Sequence, residues 1–289
     1  MPSQLNLLTV DLEEWFVAET LASRLGRDEW ERLPSTVVRN SRRLLELFAL
    51  VDVRATWFVL GWCAERFPEL IREIARAGHE VACHGYYHRR INSMSREEFR
   101  NDTRRAVEMI SAATGRRPVG YRAPSWSVSP EVAWAFDVLI ELGFEYDSSI
   151  FPIKHDMYGI PDGPRDFFRM AVSKSRQLWE FPASTYRLFG RNIPIGGGGY
   201  LRHSPYWYSR RMIRRVNRQG RPVVVYVHPW EFDPEPPRLA NLNAVQRLRM
   251  YGSTGTFLQK MQRLLSDFEC VAMSDYIRQT SQRRIGFER

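Results

Sequence analysis

The sequence predicts an α/β protein of about seven or eight β-α units, suited to a closed or nearly closed (β/α) barrel. Three observations lead there. Short β-branched or aromatic runs alternate with longer amphipathic stretches, the pattern of repeated β-α units. Polar residues able to do chemistry fall at or just beyond the C-terminal ends of several of these runs, the edge that carries active sites in β/α barrels. The 289 residues are 44% hydrophobic, enough to fill one large core, and no linker, internal repeat or low-complexity tract divides them. Periodicity alone leaves an open doubly wound sheet as the alternative.

The candidate strands are Leu7 to Glu13, Val53 to Leu60, Glu80 to His84, Val119 to Ala123, Phe144 to Ser148, Leu178 to Phe181, Val223 to His228 and Cys270 to Met273. Each is a short run rich in β-branched, aromatic or other apolar residues. Helical periodicity marks Ser35 to Leu50, Pro68 to Ala77, Ser95 to Thr114, Pro130 to Leu142, Pro205 to Gln219 and Ala244 to Asp267. Ser95-Arg96-Glu97-Glu98 has the form of an N-terminal capping box, and Gly78, Gly115, Gly143 and Gly220 follow helical patterns as C-terminal stops do. The region from Phe151 to Pro205, with Pro161-Asp162-Gly163-Pro164 and the glycine run Gly196 to Gly199, reads as long loops built onto the domain; Pro234-Glu235-Pro236-Pro237 is another. The expectation is a single domain over 1–289, with the chemistry in 7–232 and a C-terminal extension over 233–289.

Composition narrows the function. Cys63, Cys83 and Cys270 are widely spaced and odd in number, which excludes a disulfide framework and cysteine-rich zinc sites and fits a reducing compartment. The N-terminus has no basic and apolar leader pattern, and no stretch reaches the ~20 apolar residues of a membrane span. The chain therefore reads as cytoplasmic. Its formal charge of +9 comes mostly from arginine pairs such as Arg89-Arg90, Arg210-Arg211 and Arg214-Arg215. Such runs are ordinarily solvated helix faces. The sharper reading is attraction to phosphate, in a nucleotide sugar, a lipid-linked saccharide carrier or an anionic membrane surface at the inner face. No nucleic-acid motif accompanies the charge, so no nucleic-acid partner is expected, and the oligomeric state leaves no trace in the sequence.

The most informative stretch is His84-Gly85-Tyr86-Tyr87-His88, where two histidines four apart just past a strand can present two imidazoles to one divalent metal. In Thr9-Val10-Asp11-Leu12-Glu13-Glu14, strand alternation sends Asp11 and Glu13 to one face and Glu14 to the other. Two carboxylates there can divide labour: one completes a two-histidine, one-carboxylate metal set, and the other takes a proton from water. Arg122, at the end of its strand, can clamp a carboxylate, and His228 can serve as a general acid. His79 precedes its strand and reads as a turn residue. Trp126, Tyr200 and Trp230, with the glycines 196–199, form a candidate saccharide cleft, because aromatic faces stack on sugar rings and glycine allows close backbone approach.

Taken in order, Thr9-Val10-Asp11-Leu12-Glu13, His79 through His88, Tyr121-Arg122-Ala123-Pro124-Ser125, Tyr146-Asp147-Ser148-Ser149, Gly197-Gly198-Gly199-Tyr200 and His228-Pro229-Trp230-Glu231 resemble the motifs of the polysaccharide deacetylases of carbohydrate esterase family 4, the NodB homology domain. The resemblance spans roughly Leu7 to Phe232, and the chain is most similar to the deacetylases of exosortase (PEP-CTERM) exopolysaccharide loci. It implies a NodB-like fold, a distorted (β/α) barrel of about seven parallel strands, that removes an acetyl group from an N-acetylated amino sugar with one divalent metal ion, zinc or chemically similar Co2+, Mn2+ or Ni2+. It also implies roles: Asp11 as base, Glu13, His84 and His88 as metal ligands, Arg122 as partner of the base, and His228 as acid. The family's first motif has two adjacent aspartates, whereas here Leu12 intervenes and a glutamate stands second, which leaves open which acid binds metal. After Pro124 the usual Tyr-Gly is replaced by Ser125 and Trp126; a backbone N–H of Ser125 can still serve an oxyanion. Asp147 and Glu180 both qualify to orient His228. The rival readings are an amidohydrolase or deformylase acting on a small amide, ureide or formamido sugar, and a non-catalytic saccharide-binding protein on the same fold.

Overall fold

The computed structural model describes residues 4–21, 24–155, 159–173 and 176–285. At its centre β1 (Asn6–Leu12) has all seven residues buried. A strand covered on both faces needs apolar side chains at nearly every position, which Leu7, Leu8, Val10 and Leu12 supply. The chain continues through α1 (Val37–Leu50), β2 (Thr56–Val59), α2 (Gly61–Arg66), α3 (Pro68–Arg76), β3 (Glu80–Cys83), α4 (Arg96–Thr114), β4 (Gly120–Tyr121), α5 (Trp134–Glu141) and β5 (Tyr146–Asp147). Its second part comprises β6 (Phe168–Ser173), β7 (Arg176–Glu180), β8 (Thr185–Leu188), β9 (Arg191–Pro194), α6 (Gly198–His203), α7 (Tyr206–Asn217), β10 (Val224–Val227), α8 (Ala244–Tyr251), α9 (Thr254–Asp267), β11 (Cys270–Val271) and α10 (Met273–Ile285).

The main sheet runs β10-β1-β2-β3-β4-β5-β7-β6, and β11 pairs with the start of β1. All neighbours from β10 to β7 are parallel, and only β6 runs antiparallel to β7. This is the curled parallel sheet expected of a distorted barrel, and it carries the site residues on the C-terminal edges of its strands. The capping box of α4 is present: Ser95 Oγ accepts from Glu98 N at 3.2 Å, and Glu98 Oε2 accepts from Ser95 N at 2.8 Å. No helix among the described residues is long and apolar enough to cross a membrane.

The gap between β7 and β10 is bridged by irregular backbone. Val224 N donates to Ser184 Oγ at 2.8 Å, Ile195 N to Ser184 O at 3.1 Å, and Tyr226 N to Gly196 O at 3.0 Å. A Cβ on Gly197 would lie 1.9 Å from Tyr226 O, so only glycine lets this segment approach β10. The first two members of the glycine run thus close the sheet; they do not open a cleft.

Region 151–205, expected as loops, holds β6, the β8–β9 hairpin and α6. The glycines at the start of α6 hid it, being poor helix formers. The helix expected over 244–267 is broken at Gly252-Ser253, where Ser253 takes φ 60° and Arg202 donates to the carbonyls of Met250 and Gly252 at 3.3 and 3.0 Å. Residues 233–289 do more than extend the chain: β11 joins the sheet, and Phe257 of α9 stacks on Phe232 with ring centroids 4.7 Å apart.

Asp147 and Glu180 face one another in register across β5 and β7, both fully buried. Burial raises both carboxyls, Asp147 to about 6 and Glu180, also pushed by the Asp147 charge, well above its ordinary value. A raised carboxyl favours the fold while it is protonated, so this contribution is complete below the unfolded values of 3.8 and 4.5 and is lost as pH rises through about 6 and beyond. Glu180→Gln keeps an acceptor for Ser149 N and Ile150 N and should flatten the dependence of Tm on pH between about 4 and 7. An unchanged slope would show that the pair carries no shared proton.

Candidate active site

β1 delivers two carboxylates to the mouth of the sheet. Asp11 is its penultimate residue and Glu13 follows its end, so both point to one side, while Glu14 turns away to accept from Ser35 Oγ and Thr36 N at the start of α1. Asp11 and Glu13 are 2% and 3% exposed and therefore need partners. They have different ones.

Asp11 Oδ1 lies 2.6 Å from Nη1 of Arg122, whose side chain is wholly buried. Nη1 also donates to Thr9 Oγ1 at 2.9 Å, Nε to Ser148 O at 3.2 Å and Nη2 to Ser148 Oγ at 3.0 Å. The guanidinium sits over the rings of Phe58 and Trp126, 4.1 and 4.5 Å from their centroids. The pair is thus both desolvated and geometrically determined.

Glu13 Oε2 lies 2.9 Å from His88 Nε2 and 3.8 Å from His84 Nε2. Burial pushes the Glu13 carboxyl up, but His88, His228 and His84 outweigh it and hold it at about 2. His84 Nδ1 is 2.8 Å from the Arg122 carbonyl and donates to it, which places the lone pair on Nε2, toward Glu13. Burial drives His84 down to about 4, leaving a neutral imidazole. Gly85 takes φ 71°, a left-handed turn that an L side chain resists, and the loop to His88 is tied down by Gly61 N to Gly85 O and Tyr86 N to Asp102 Oδ2. His88 itself has φ 54°.

The fit of this trio to a metal rests on one orphaned atom. Glu13 Oε2 is buried and makes no hydrogen bond of good geometry, facing Nε2 of His88 at 2.9 Å and of His84 at 3.8 Å, while Oε1 accepts from Trp230 Nε1 at 3.2 Å. Glu13, His84 and His88 offer ligand atoms within 4.8 Å of one another. Two imidazole nitrogens and one carboxylate oxygen are the donor set that a zinc-like ion takes while keeping positions open.

His228 follows β10 and faces both carboxylates, its Nε2 3.8 Å from Asp11 Oδ2 and 3.9 Å from Glu13 Oε1. Its Nδ1 is 3.0 Å from Glu231 Oε2, and Glu231 Oε1 is 3.1 Å from Nε of buried Arg202. Burial opposes the charged imidazole, but Glu13, Glu231 and Asp11 raise it to about 9. The Trp230 ring stacks on His228 at 5.4 Å.

The comparisons with known proteins bear on this arrangement. Residues 30–146 match the polysaccharide deacetylase family, and residues 148–278 match a domain of unknown function, DUF3473. Residues 30–146 thus match a polysaccharide deacetylase domain. The chain is 39% identical over 108 residues to a peptidoglycan deacetylase of Helicobacter pylori, 37% of this chain and 36% of that protein. Over 94 residues it is 30% identical to a peptidoglycan-N-acetylglucosamine deacetylase of Bacillus cereus, 32% of this chain and 34% of the relative. The chain therefore matches only about a third of the length of these relatives. Its structure is similar to that of a Mycobacterium smegmatis protein assigned to the polysaccharide deacetylases, with a TM-score of 0.64 at 22% identity, covering 98% of this chain and 93% of the other. That likeness is one of fold.

Three sequence expectations need correction. The acid on His228 is Glu231, not Asp147 or Glu180, which face each other across β5 and β7. The turn Pro229–Phe232 folds residue 231 back onto residue 228, and His-Pro-Trp-Glu with its i,i+3 spacing was the available signal. Trp126 is 6% exposed and packs on Phe151 and Tyr226 beneath the Arg122 guanidinium, so it covers the ion pair and offers no platform to a sugar. Tyr200 is 44% exposed on α6, and the glycines beside it serve the approach to β10. Arg202 and Thr9 were not anticipated. Arg202 lies in the stretch read as loop, with no local pattern linking it to Glu231.

Zinc added to metal-free protein should raise the melting temperature, by the equivalent of ~2.7 kcal/mol at a hundredfold excess over Kd. His88→Ala should abolish that shift and stoichiometric zinc uptake measured by mass spectrometry. A variant that kept both would remove His88 from the ligand set.

Proposed function

We propose that this protein removes N-acetyl groups from an amino-sugar-containing glycan or from its lipid- or nucleotide-linked precursor. The observation that carries the reading is the division of the two carboxylates: Asp11 is held by Arg122, Glu13 is shared with two histidines, and His228 is nearly equidistant from both. Peptidoglycan deacetylases among the relatives support an acetylated amino sugar as the substrate class.

Glu13, His84 and His88 would hold one divalent ion, zinc in the first instance. Such an ion supplies Lewis acidity that activates water and polarises the acetamide carbonyl. Asp11 takes the proton of the attacking water. Its ion pair with Arg122 fixes the carboxylate, so an acceptor oxygen is in place before substrate arrives. The backbone N–H of Ser125 serves the developing oxyanion; Ser125 has φ 54° in the turn after Arg122. His228 then donates a proton from Nε2 to the departing nitrogen, which cannot leave as an amide anion. Glu231 accepts from Nδ1 and, itself anchored by Arg202, holds the ring so that Nε2 faces the carboxylates. Trp230, stacked on His228 and bonded to Glu13, keeps the two halves of the site in register. Three buried free thiols support a reducing, cytoplasmic setting.

Asp11→Asn should retain metal but lower the release of acetate from N-acetylated amino-sugar oligomers by at least ~100-fold. Loss of metal without a separate loss of chemistry would exchange the roles of Asp11 and Glu13. His228→Ala should impair amide hydrolysis far more than hydrolysis of an activated acetate ester, because only the amide needs its leaving group protonated. Equal losses would displace His228 as the acid. Turnover of formamido sugars or small ureides in place of N-acetyl sugars would move the protein to the rival amidohydrolase class.

A further inference from the structure

The β8–β9 hairpin stands outside the main sheet and turns through Phe189 and Gly190, with φ 47° and 77°. A two-residue turn with both central φ values positive favours Asn-Gly, Asp-Gly or Gly-Gly, because a Cβ clashes in the left-handed region. Phenylalanine is therefore unfavourable there on backbone grounds. It is also 95% exposed, the most exposed large apolar side chain described, and the adjoining Leu188 is 36% exposed. Neither folding nor solubility explains a fully solvated aromatic in a turn that disfavours it.

The surroundings of the tip are basic. A cavity of about 750 Å³ beside it is lined by Lys154, Arg165, Arg187 and Arg191, with Asp162 as the acidic member of its wall. Among the described residues, none of those four side chains has an ion pair or hydrogen bond to an acid. The nearby Arg221 is instead neutralised by Asp166 and bonded to the Arg165 carbonyl. Partial burial foremost, then Arg221 and Arg187, hold Arg165 below the usual guanidinium range against the opposing charge of Asp166. Asn192 donates to the carbonyls of Pro152 and Pro161 and fixes the hairpin to the loop that forms the other wall.

We propose that this hairpin docks the protein on an anionic phospholipid bilayer, with Phe189 and Leu188 entering the interfacial region and the cavity arginines and lysine receiving lipid phosphates. An apolar tip ringed by cations has the two components that peripheral binding needs, apolar burial and attraction to a negative surface. Neither component is strong alone, and together they make attachment reversible and salt-sensitive. The inference does not depend on the chemistry assigned to Asp11 and His228.

The test is co-sedimentation of the full chain with vesicles of phosphatidylcholine alone and with vesicles containing phosphatidylglycerol, at low and high salt. Wild type should bind the anionic vesicles and be released by salt. Phe189→Asn places a favoured residue in the turn, so its melting temperature should not fall, while its partition onto anionic vesicles should drop about tenfold. Arg187→Gln combined with Arg191→Gln should lower partition about twentyfold and weaken its salt dependence. Equal binding to both vesicle types, or none, would overturn the proposal. So would Phe189→Asn binding like wild type while the arginine variant alone fails, because the cavity would then be a site for a soluble anion.

Discussion

The buried ion pair between Arg122 and Asp11 is the constraint on which the site depends. With its guanidinium, main-chain N–H and carbonyl, Arg122 reaches Asp11 and Thr9 on β1, Ser148 after β5, Cys83 O on β3 and His84 Nδ1. Removing one partner of such a pair strands a charge in low dielectric, at a typical cost of about 3–5 kcal/mol. That cost ties the orientation of the candidate base to the packing of three strands. The same residue sets the tautomer of a metal-ligand candidate through its carbonyl, so the positions of base and metal site are not independent.

Strain gathers around this pair. His88, Ser125 and Trp126 all take φ values near 50°, where non-glycine residues cost free energy and persist only when their surroundings over-determine them. Trp126 supplies part of that determination by packing under Arg122 and against Phe151 and Tyr226. The segments on either side of the mouth are thus held in unusual conformations by the core beneath them, which is a preorganised arrangement in the sense that no loop closure is needed to bring the side chains together.

The two halves of the site draw on different parts of the fold. The candidate metal side, Glu13 with His84 and His88, lies at the ends of β1 and β3, where regular parallel pairing sets the register. The candidate acid side, His228 with Glu231, follows β10, whose outer edge meets no regular strand among the described residues and is met by Ser184 and Gly196. Arg202 compensates for that irregularity. It emerges from α6, reaches Glu231, and donates to carbonyls at the end of α8, so the break between α8 and α9 and the setting of His228 share one buried guanidinium. Trp230 bridges the halves through its bond to Glu13.

The sequence by itself determined the eight parallel-type strands from Leu7 to Met273, the helices with strong apolar periodicity, and the side chains gathered at the mouth: Asp11, Glu13, His84, His88, Arg122 and His228. Those were legible because strand and helix periods are local, and because in a parallel sheet the C-terminal ends of different strands converge whatever lies between them. The folded turn after β10 decided the partner of His228. Glu231 was present in the motif, but the Pro229–Phe232 turn had to fold before its carboxylate could displace the buried Asp147 and Glu180 as the choice. The purpose of Gly196 and Gly197, the burial of Trp126, the break at Ser253 and the reach of Arg202 were equally hidden. Each depends on which distant backbone or guanidinium approaches that point, and such contacts leave no period in the chain.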